Sequence, residues 1–383
     1  MGKQHRVEGA ALYFEYHGNQ ASTVEGTPIP LGKGFFGFAD NVLFGVSAQI
    51  IPWNYPIEMT ARSLSAALAT GNACVIKSPE LRPLTNAWFG HAAEAVGLPA
   101  GAVNLLCGLG QEAGAALAGH SHVNRIGFTG SGSTGIAIAT AAARAVGPCV
   151  LAPGGKSAAI SHDDADPAAF ENDIRWGIYF DAGQVCSAMS RVFVHQSHKE
   201  KLLQRAEAVA KSLSVGPGAD RISFGANMGA MVSEAQRDRA ESMVRRAEEQ
   251  GARLVTGGPK LNRPWAFLGP IVLADVSPDM DIASTEVFGP VLSVLSFHED
   301  AEVIEIAHGT DHGLLGGVLS RDLDRATQAA RLMRAGQVFV NEWYAGGVET
   351  PFGGFGKSGY GREKGREALW NYVQTKNVAI NLA

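Results

Sequence analysis

The residues best suited to chemistry surround one cysteine, in Phe180-Asp181-Ala182-Gly183-Gln184-Val185-Cys186-Ser187-Ala188. A thiolate adds to an aldehyde carbonyl to give a thiohemiacetal, and loss of hydride then leaves a thioester. Three distant segments carry what such a thiol needs: Pro52-Trp53-Asn54-Tyr55-Pro56, Phe128-Thr129-Gly130-Ser131-Gly132-Ser133-Thr134-Gly135 and Glu286-Val287-Phe288-Gly289-Pro290. The second sits between a strand-like and a helix-like run. Its small residues let the backbone approach a phosphate, and the helix start offers free N–H groups and a positive dipole end. Ser131 is placed to hydrogen-bond a phosphate oxygen. Each feature also has a plain structural reading. A free cysteine is by default a small buried hydrophobe, Asn54 could cap a turn before a helix, and a glycine-rich loop alone is weak evidence. The combination carries the chemical reading.

With Pro351-Phe352-Gly353-Gly354 and Ser358-Gly359-Tyr360-Gly361-Arg362-Glu363, these segments resemble the signature of the aldehyde dehydrogenase superfamily, in order from about Ala11 to the C-terminus. The resemblance implies NAD-dependent oxidation of an aldehyde to its acid. It makes Cys186 the nucleophile, Asn54 the donor to the developing oxyanion with the Cys186 N–H, and Glu363 a carboxylate able to act as base through a water chain. It assigns NAD to Ile50, Pro52 and Trp53, with Trp53 at the pyrophosphate, and to Phe128, Gly130, Ser131 and Gly155. Gly108 and Gly110 resemble the turn beside the adenine, Lys77 and Glu80 the pair on the adenosine ribose, and Glu286 and Phe288 the pair on the nicotinamide ribose. A carboxylate at Glu80 repels a 2′-phosphate and so favours NAD over NADP. Tyr55, Phe180 and Phe352 match tunnel-lining aromatics, with Trp343-Tyr344 on the preceding loop; they suit an apolar or cationic aldehyde. Arg62 is either a partner for a substrate carboxylate or a structural ion pair.

Two proton-moving positions depart from the family. Its Leu-Glu-Leu-Gly-Gly-Lys stretch is here Leu151-Ala152-Pro153-Gly154-Gly155-Lys156, so the glutamate that activates the hydrolytic water is Ala152. The lysine on the helix after Asn54 is Ser63. Such groups typically contribute ~10²–10⁴-fold, so thioester hydrolysis is expected to be impaired. The alternatives are coenzyme A as acyl acceptor, as in the acylating branch, and a degenerate member that binds nucleotide or partners without turnover.

The elements that must position these residues follow from the patterning. Strand-like runs at 44–50, 73–76, 103–107 and 125–128 alternate with helix-like runs at 57–69, 83–96, 112–118 and 134–145. Such alternation predicts an α/β fold with a doubly wound, mostly parallel sheet. Amphipathic helices are expected at 199–213 and 234–250, and strands at 291–295, 317–319, 338–340 and 377–382. The expected domains are a NAD-binding domain at 1–27 and 45–153, an α/β catalytic domain at 154–356, a return to the NAD-binding domain at 357–372, and a small β oligomerisation element at 28–44 and 373–383. The family resemblance makes that element the interface of a homodimer or homotetramer. Relatives carry roughly a hundred more residues ahead of this sequence, the scale of a small domain.

The 383 residues are 46% apolar and 18% charged, with net charge −5 and both signs interspersed, which gives no electrostatic case for nucleic acid or an acidic membrane. There is no apolar run of bilayer length and no secretory leader pattern. Cys74, Cys107, Cys149 and Cys186 form no CxxC pair, and the eleven histidines show no HExxH spacing. A reducing cytoplasm and no metal site are expected.

Overall fold

The computed structural model describes residues 2–217, 228–258 and 265–383. It divides into two compact units, Met1–Pro153 with Gly346–Gly353 and Gly359–Ala383, and Gly154–Ala345 with Gly354–Ser358.

The first unit opens with helix α1 (Gly2–Gln20), which the sequence pattern did not announce. Strands β1 (Thr27–Ile29) and β2 (Phe35–Leu43) form an antiparallel three-stranded sheet with the C-terminal strand Val373–Asn381. The main sheet contains β3 (Val46–Ile50), β4 (Ala73–Lys77), β5 (Val103–Leu106), β6 (Arg125–Gly130) and β7 (Cys149–Pro153), in the order β5-β4-β3-β6-β7 and parallel throughout. The central strands β3, β4, β6 and β7 are largely buried, whereas β5 at the edge alternates half-buried and exposed residues. Helices α2 (Pro56–Ala69), α3 (Leu84–Ala95), α4 (Ala115–Ala118) and α5 (Gly132–Arg144) connect them. One core cluster joins Ile50, Ile126, Phe128 and Leu151 to Ile138 of α5. A second joins Leu64 of α2 and Ile76 to Leu369 and Tyr372. The expected helix at 112–118 is split: Gly110–Gly114 forms a π-type turn before α4. The two glycines flanking that turn weaken ordinary helix nucleation.

The second unit is built on β8 (Ala158–Ser161), β9 (Arg191–His195), β10 (Arg253–Thr256), β11 (Ile271–Ala274), β12 (Val291–Phe297), β14 (Leu315–Leu319) and β15 (Gln337–Val340). They lie in the order β10-β11-β12-β9-β8-β14-β15, and only the β10–β11 pair is antiparallel. Two short strands, β13 (His312–Gly313) and β16 (Phe355–Gly356), pair separately. Lys199–Ser212 and Glu234–Glu249 are the long helices expected there. The α/β class with largely parallel sheets is thus observed.

Candidate functional site

In the first unit, strand order creates a topological switch point. The chain runs from the central β3 to β4 and β5 on one side, then crosses to β6 on the other, so the connections after β3 and β6 leave the sheet's carboxyl edge in opposite directions. Ligands bind parallel sheets at such a switch point. The loop after β3 carries Ile51, Pro52, Trp53 and Asn54, and the loop after β6 carries Ser131. Ser131 has extended backbone and caps α5, its Oγ accepting from the Thr134 N–H at 3.4 Å. The glycines around it keep the helix start open, and a Cβ at Gly132 would meet nothing within 4 Å. Lys77 ends β4, and its Nζ lies 2.5 Å from Glu80 Oε2. Glu80 also accepts from the Gly110 N–H; with Lys77 this holds its carboxyl below the usual range, against the opposing effect of burial. Lys77, Glu80 and Gly110 therefore converge on one edge, where two vicinal hydroxyls could be gripped. Trp53 has the Arg82 guanidinium 5.8 Å from its ring centre. These donors and this small-residue turn fit a dinucleotide.

Asn54 is 4% exposed. The N-cap position of α2 belongs to Tyr55, and Pro56 is the first helical residue, so Asn54 stands just before the helix. Farther along α2, Ser63 Oγ donates back to the Met59 carbonyl at 2.9 Å. Arg62 forms a buried ion pair with Glu363 and stacks 5.0 Å from the Phe352 ring centre. Glu363 is fixed further by reciprocal backbone bonds with Phe352, both 2.6 Å. The arginine is therefore part of an internal ion pair, which answers the question its sequence left open.

In the second unit, three of the sequence motifs meet around Cys186, which is half-buried and outside any disulfide. Asp181, Ala182 and Gly183 all adopt left-handed backbone, at φ 50°, 55° and 70°. A run of this kind in non-glycine residues is strained and persists only where surroundings over-determine it. Here Gly183 packs so closely on the Gly289-Pro290 backbone that no Cβ would fit. Gln184 locks the loop by donating to Asp181 O at 3.0 Å and accepting from the Val232 N–H at 2.7 Å. After the cysteine, Ser187 O accepts from Trp343 Nε1 and Tyr344 Oη, both at 3.3 Å.

The 286–288 segment is held by the helix Glu234–Glu249. Gln236 Nε2 donates to the carbonyls of Val287 and Phe288, and Arg239 to those of Glu286 and Val287. Phe288 is left-handed as well, at φ 57°. The Glu286 carboxylate occupies the space a side chain on Gly154 would need, and it accepts from the Gly155 N–H at 3.3 Å. A Cβ on Gly155 would come 3.1 Å from the Cys186 carbonyl oxygen. Glu286 and Cys186 thus lie on either side of one glycine. Burial pushes the Glu286 carboxyl up to about 7, against the Gly155 N–H, Lys156 and Arg239. Burial, with Arg191 beside it, pushes Lys156 down to about 7, and its Nζ has no hydrogen-bond partner.

Lys156 and Gln184 stand inside the sequence motifs with no role that the motifs indicate. Their signal was local, a lysine after two glycines and a glutamine two residues before the cysteine. Only the packing shows the first buried and the second cross-linking two loops.

A family model described as "Aldehyde dehydrogenase family" matches residues 2–378. Among similar proteins, betaine aldehyde dehydrogenase of Hordeum vulgare is 38% identical over 381 residues, covering 97% of this chain and 74% of that protein. The NAD⁺ complex of an aldehyde dehydrogenase from Bacillus cereus aligns with a TM-score of 0.96 at 35% identity, covering 98% of this chain and 76% of that one. Betaine aldehyde dehydrogenase of Staphylococcus aureus, solved with NAD⁺, aligns at 0.95 and 34% identity, covering 98% and 75%. The chain spans about three quarters of the length of these relatives.

Proposed function

The chain belongs to the aldehyde dehydrogenase family, its activity is NAD-dependent oxidation of an aldehyde, and we propose that Cys186 is the residue that carries the acyl group. The observation that carries this reading is the strained loop that presents Cys186 next to the Gly154-Gly155 turn and Glu286.

Cys186 Sγ adds to the aldehyde carbon, and the carbonyl oxygen gains charge. The Asn54 amide and the Cys186 N–H are the proposed donors to that oxygen; removing one such donor typically costs ~3 kcal/mol of barrier. The chemistry that bound NAD supplies is hydride acceptance, which leaves the acyl group on Cys186 as a thioester. Ile50, Pro52, Trp53, Phe128, Gly130 and Ser131 would hold the pyrophosphate end. Lys77, Glu80 and Gly110 would take the adenosine half, and Gly155, Glu286 and Phe288 the nicotinamide ribose. Water then adds to the thioester, a carboxylate accepts its proton, and collapse expels the Cys186 thiolate with the carboxylic acid as product.

Ala152 cannot accept that proton. Glu363 is the first proposed base, acting through a water chain, although its carboxylate is already engaged by Arg62. A second reading places the base at Glu286, favoured by its carboxyl standing at about 7. A group near the working pH is the efficient choice for general base catalysis.

Rapid mixing of enzyme, NAD and a panel of aldehydes tests the assignment. We expect a burst of NADH near one equivalent per Cys186 followed by slower turnover, and no burst from Cys186→Ala although NAD still binds. Activity surviving in Cys186→Ala would sink the mechanism. Turnover restored by added coenzyme A would move the acyl acceptor from water to the thiol. NAD binding without a burst from any aldehyde would make the chain a nucleotide-binding protein only.

The β1-β2-C-terminal sheet supports self-association into a dimer or tetramer, since Phe35, Phe36 and Ile380 leave it 50%, 50% and 42% exposed. Sedimentation before and after Phe36→Asp and Ile380→Asp reads this directly. A cytoplasmic setting is supported by four cysteines outside disulfides. Among the described residues, no helix is long and apolar enough to cross a membrane.

A further inference from the structure

The second unit contains a cavity of about 570 Å³ that none of the residues assigned to catalysis or NAD lines. Its wall carries the cations Lys156, Arg191, Arg334 and Lys357 and the imidazoles of His308 and His312, opposed by one carboxylate, Asp311. Asp311 is already committed to Lys357, 2.6 Å from its Nζ. Among the described residues no carboxylate pairs with Lys156, Arg191 or Arg334.

Two of these cations are buried in a way that is costly without a counter-ion. Arg191 is 3% exposed, and among the described residues its guanidinium donates only to neutral acceptors, Lys156 O at 2.7 and 3.0 Å and Ala307 O at 3.1 Å. Lys156 is 2% exposed with its Nζ unpartnered. The two histidines register the same field. Burial lowers both, with Arg334 and Arg191 adding to it at His308, and Lys357, Arg191 and Lys156 adding to it at His312 against Asp311. Such an excess of positive charge in a concave, partly desolvated space is what a multivalent anion neutralises.

We propose that this cavity binds a phosphate dianion, either free or as the head of a phosphomonoester. The charge of the ligand answers the surplus of cations. Its tetrahedral oxygens suit donors arriving from separate segments, the 156/191 wall, the 308–312 loop and the 334/357 rim. The volume exceeds that of the ion alone and leaves room for an organic substituent.

The test is calorimetric titration of the folded protein with inorganic phosphate and with glycerol phosphate, at matched ionic strength and with saturating NAD to block the Ser131 turn. One saturable site is expected, with affinity at least tenfold weaker in the rim double variant Arg334→Glu/Lys357→Glu. Both rim side chains are exposed, so circular dichroism should show that variant folded. Tighter binding of the monoester would identify a phosphorylated metabolite as the source, and equal binding the free ion. No saturable binding, binding unchanged in the rim variant, or equal displacement by chloride overturns the proposal. Lys156→Met supplies a second, independent loss, because it removes the buried charge while keeping the side-chain length.

Discussion

Each unit buries a carboxylate beside a cation, and the two sets are arranged in opposite ways. In the first, Arg62 and Glu363 close into an ion pair, flanked by Phe352 and fixed by backbone bonds. In the second, Glu286 rests on the Gly155 N–H while Lys156 stays without a hydrogen-bond partner, and burial brings both toward neutral pH. A closed pair holds structure, since removing either partner strands the other charge. An open set near its titration midpoint can exchange a proton. The difference shows why burial and charge alone do not identify a catalytic carboxylate; what matters is whether its proton affinity is available at the working pH.

The largest effect expected from this contrast concerns stability. Arg62→Met should cost ~3–5 kcal/mol in denaturant unfolding, because it leaves Glu363 buried and unpaired. Lys156→Met should not destabilise the fold and should raise stability, because it removes a buried ammonium that has no hydrogen-bond partner to lose. Equal costs for the two substitutions would erase the distinction.

Next comes turnover. Glu286→Gln should cut the steady-state rate by ~10²–10⁴-fold while sparing the NADH burst, if the base is in the second unit. Glu363→Gln should produce that split instead if the base is in the first. A glutamine variant that loses burst and steady state together would assign its residue to cofactor binding alone.

The pH profile sharpens the same choice. A base must be deprotonated, and burial holds Glu286 at about 7. Steady-state turnover should therefore be flat above that pH and fall about tenfold per unit below it. The break should vanish in Glu286→Gln.

The smallest effect is a gain. Ala152→Glu should raise steady-state turnover several-fold by supplying the carboxylate that the family resemblance implies there, measured against an unchanged burst. Ala152 and the following Pro153 lie in β7, so a turnover no higher than that of the parent would mean that the strand points the new group away.

Local periodicity carried much of the fold. The runs at 73–76 and 134–145 appear as Ala73–Lys77 and Gly132–Arg144, because apolar spacing and glycine stops are local signals. Helix α1 was not legible, since its mean pattern is barely amphipathic and it is defined by what it packs on. Tyr13 and Ala10 meet Ala61 of α2, and His17 Nδ1 lies 2.8 Å from Ser65 Oγ.

For the site, the order of residues along the chain supplies the groups: a cysteine in its loop, an asparagine after β3 and a glycine-rich turn before α5. These are covalent facts, and their order along the chain identifies the family. Tertiary structure decided what each group is free to do. It joined Arg62 to Glu363 across 301 positions of sequence and set Glu286 one glycine from Cys186. It also left Lys156 Nζ buried with no hydrogen-bond partner among the described residues. Proton affinity depends on desolvation and on charges a few ångströms away, and neither is written in the neighbouring residues.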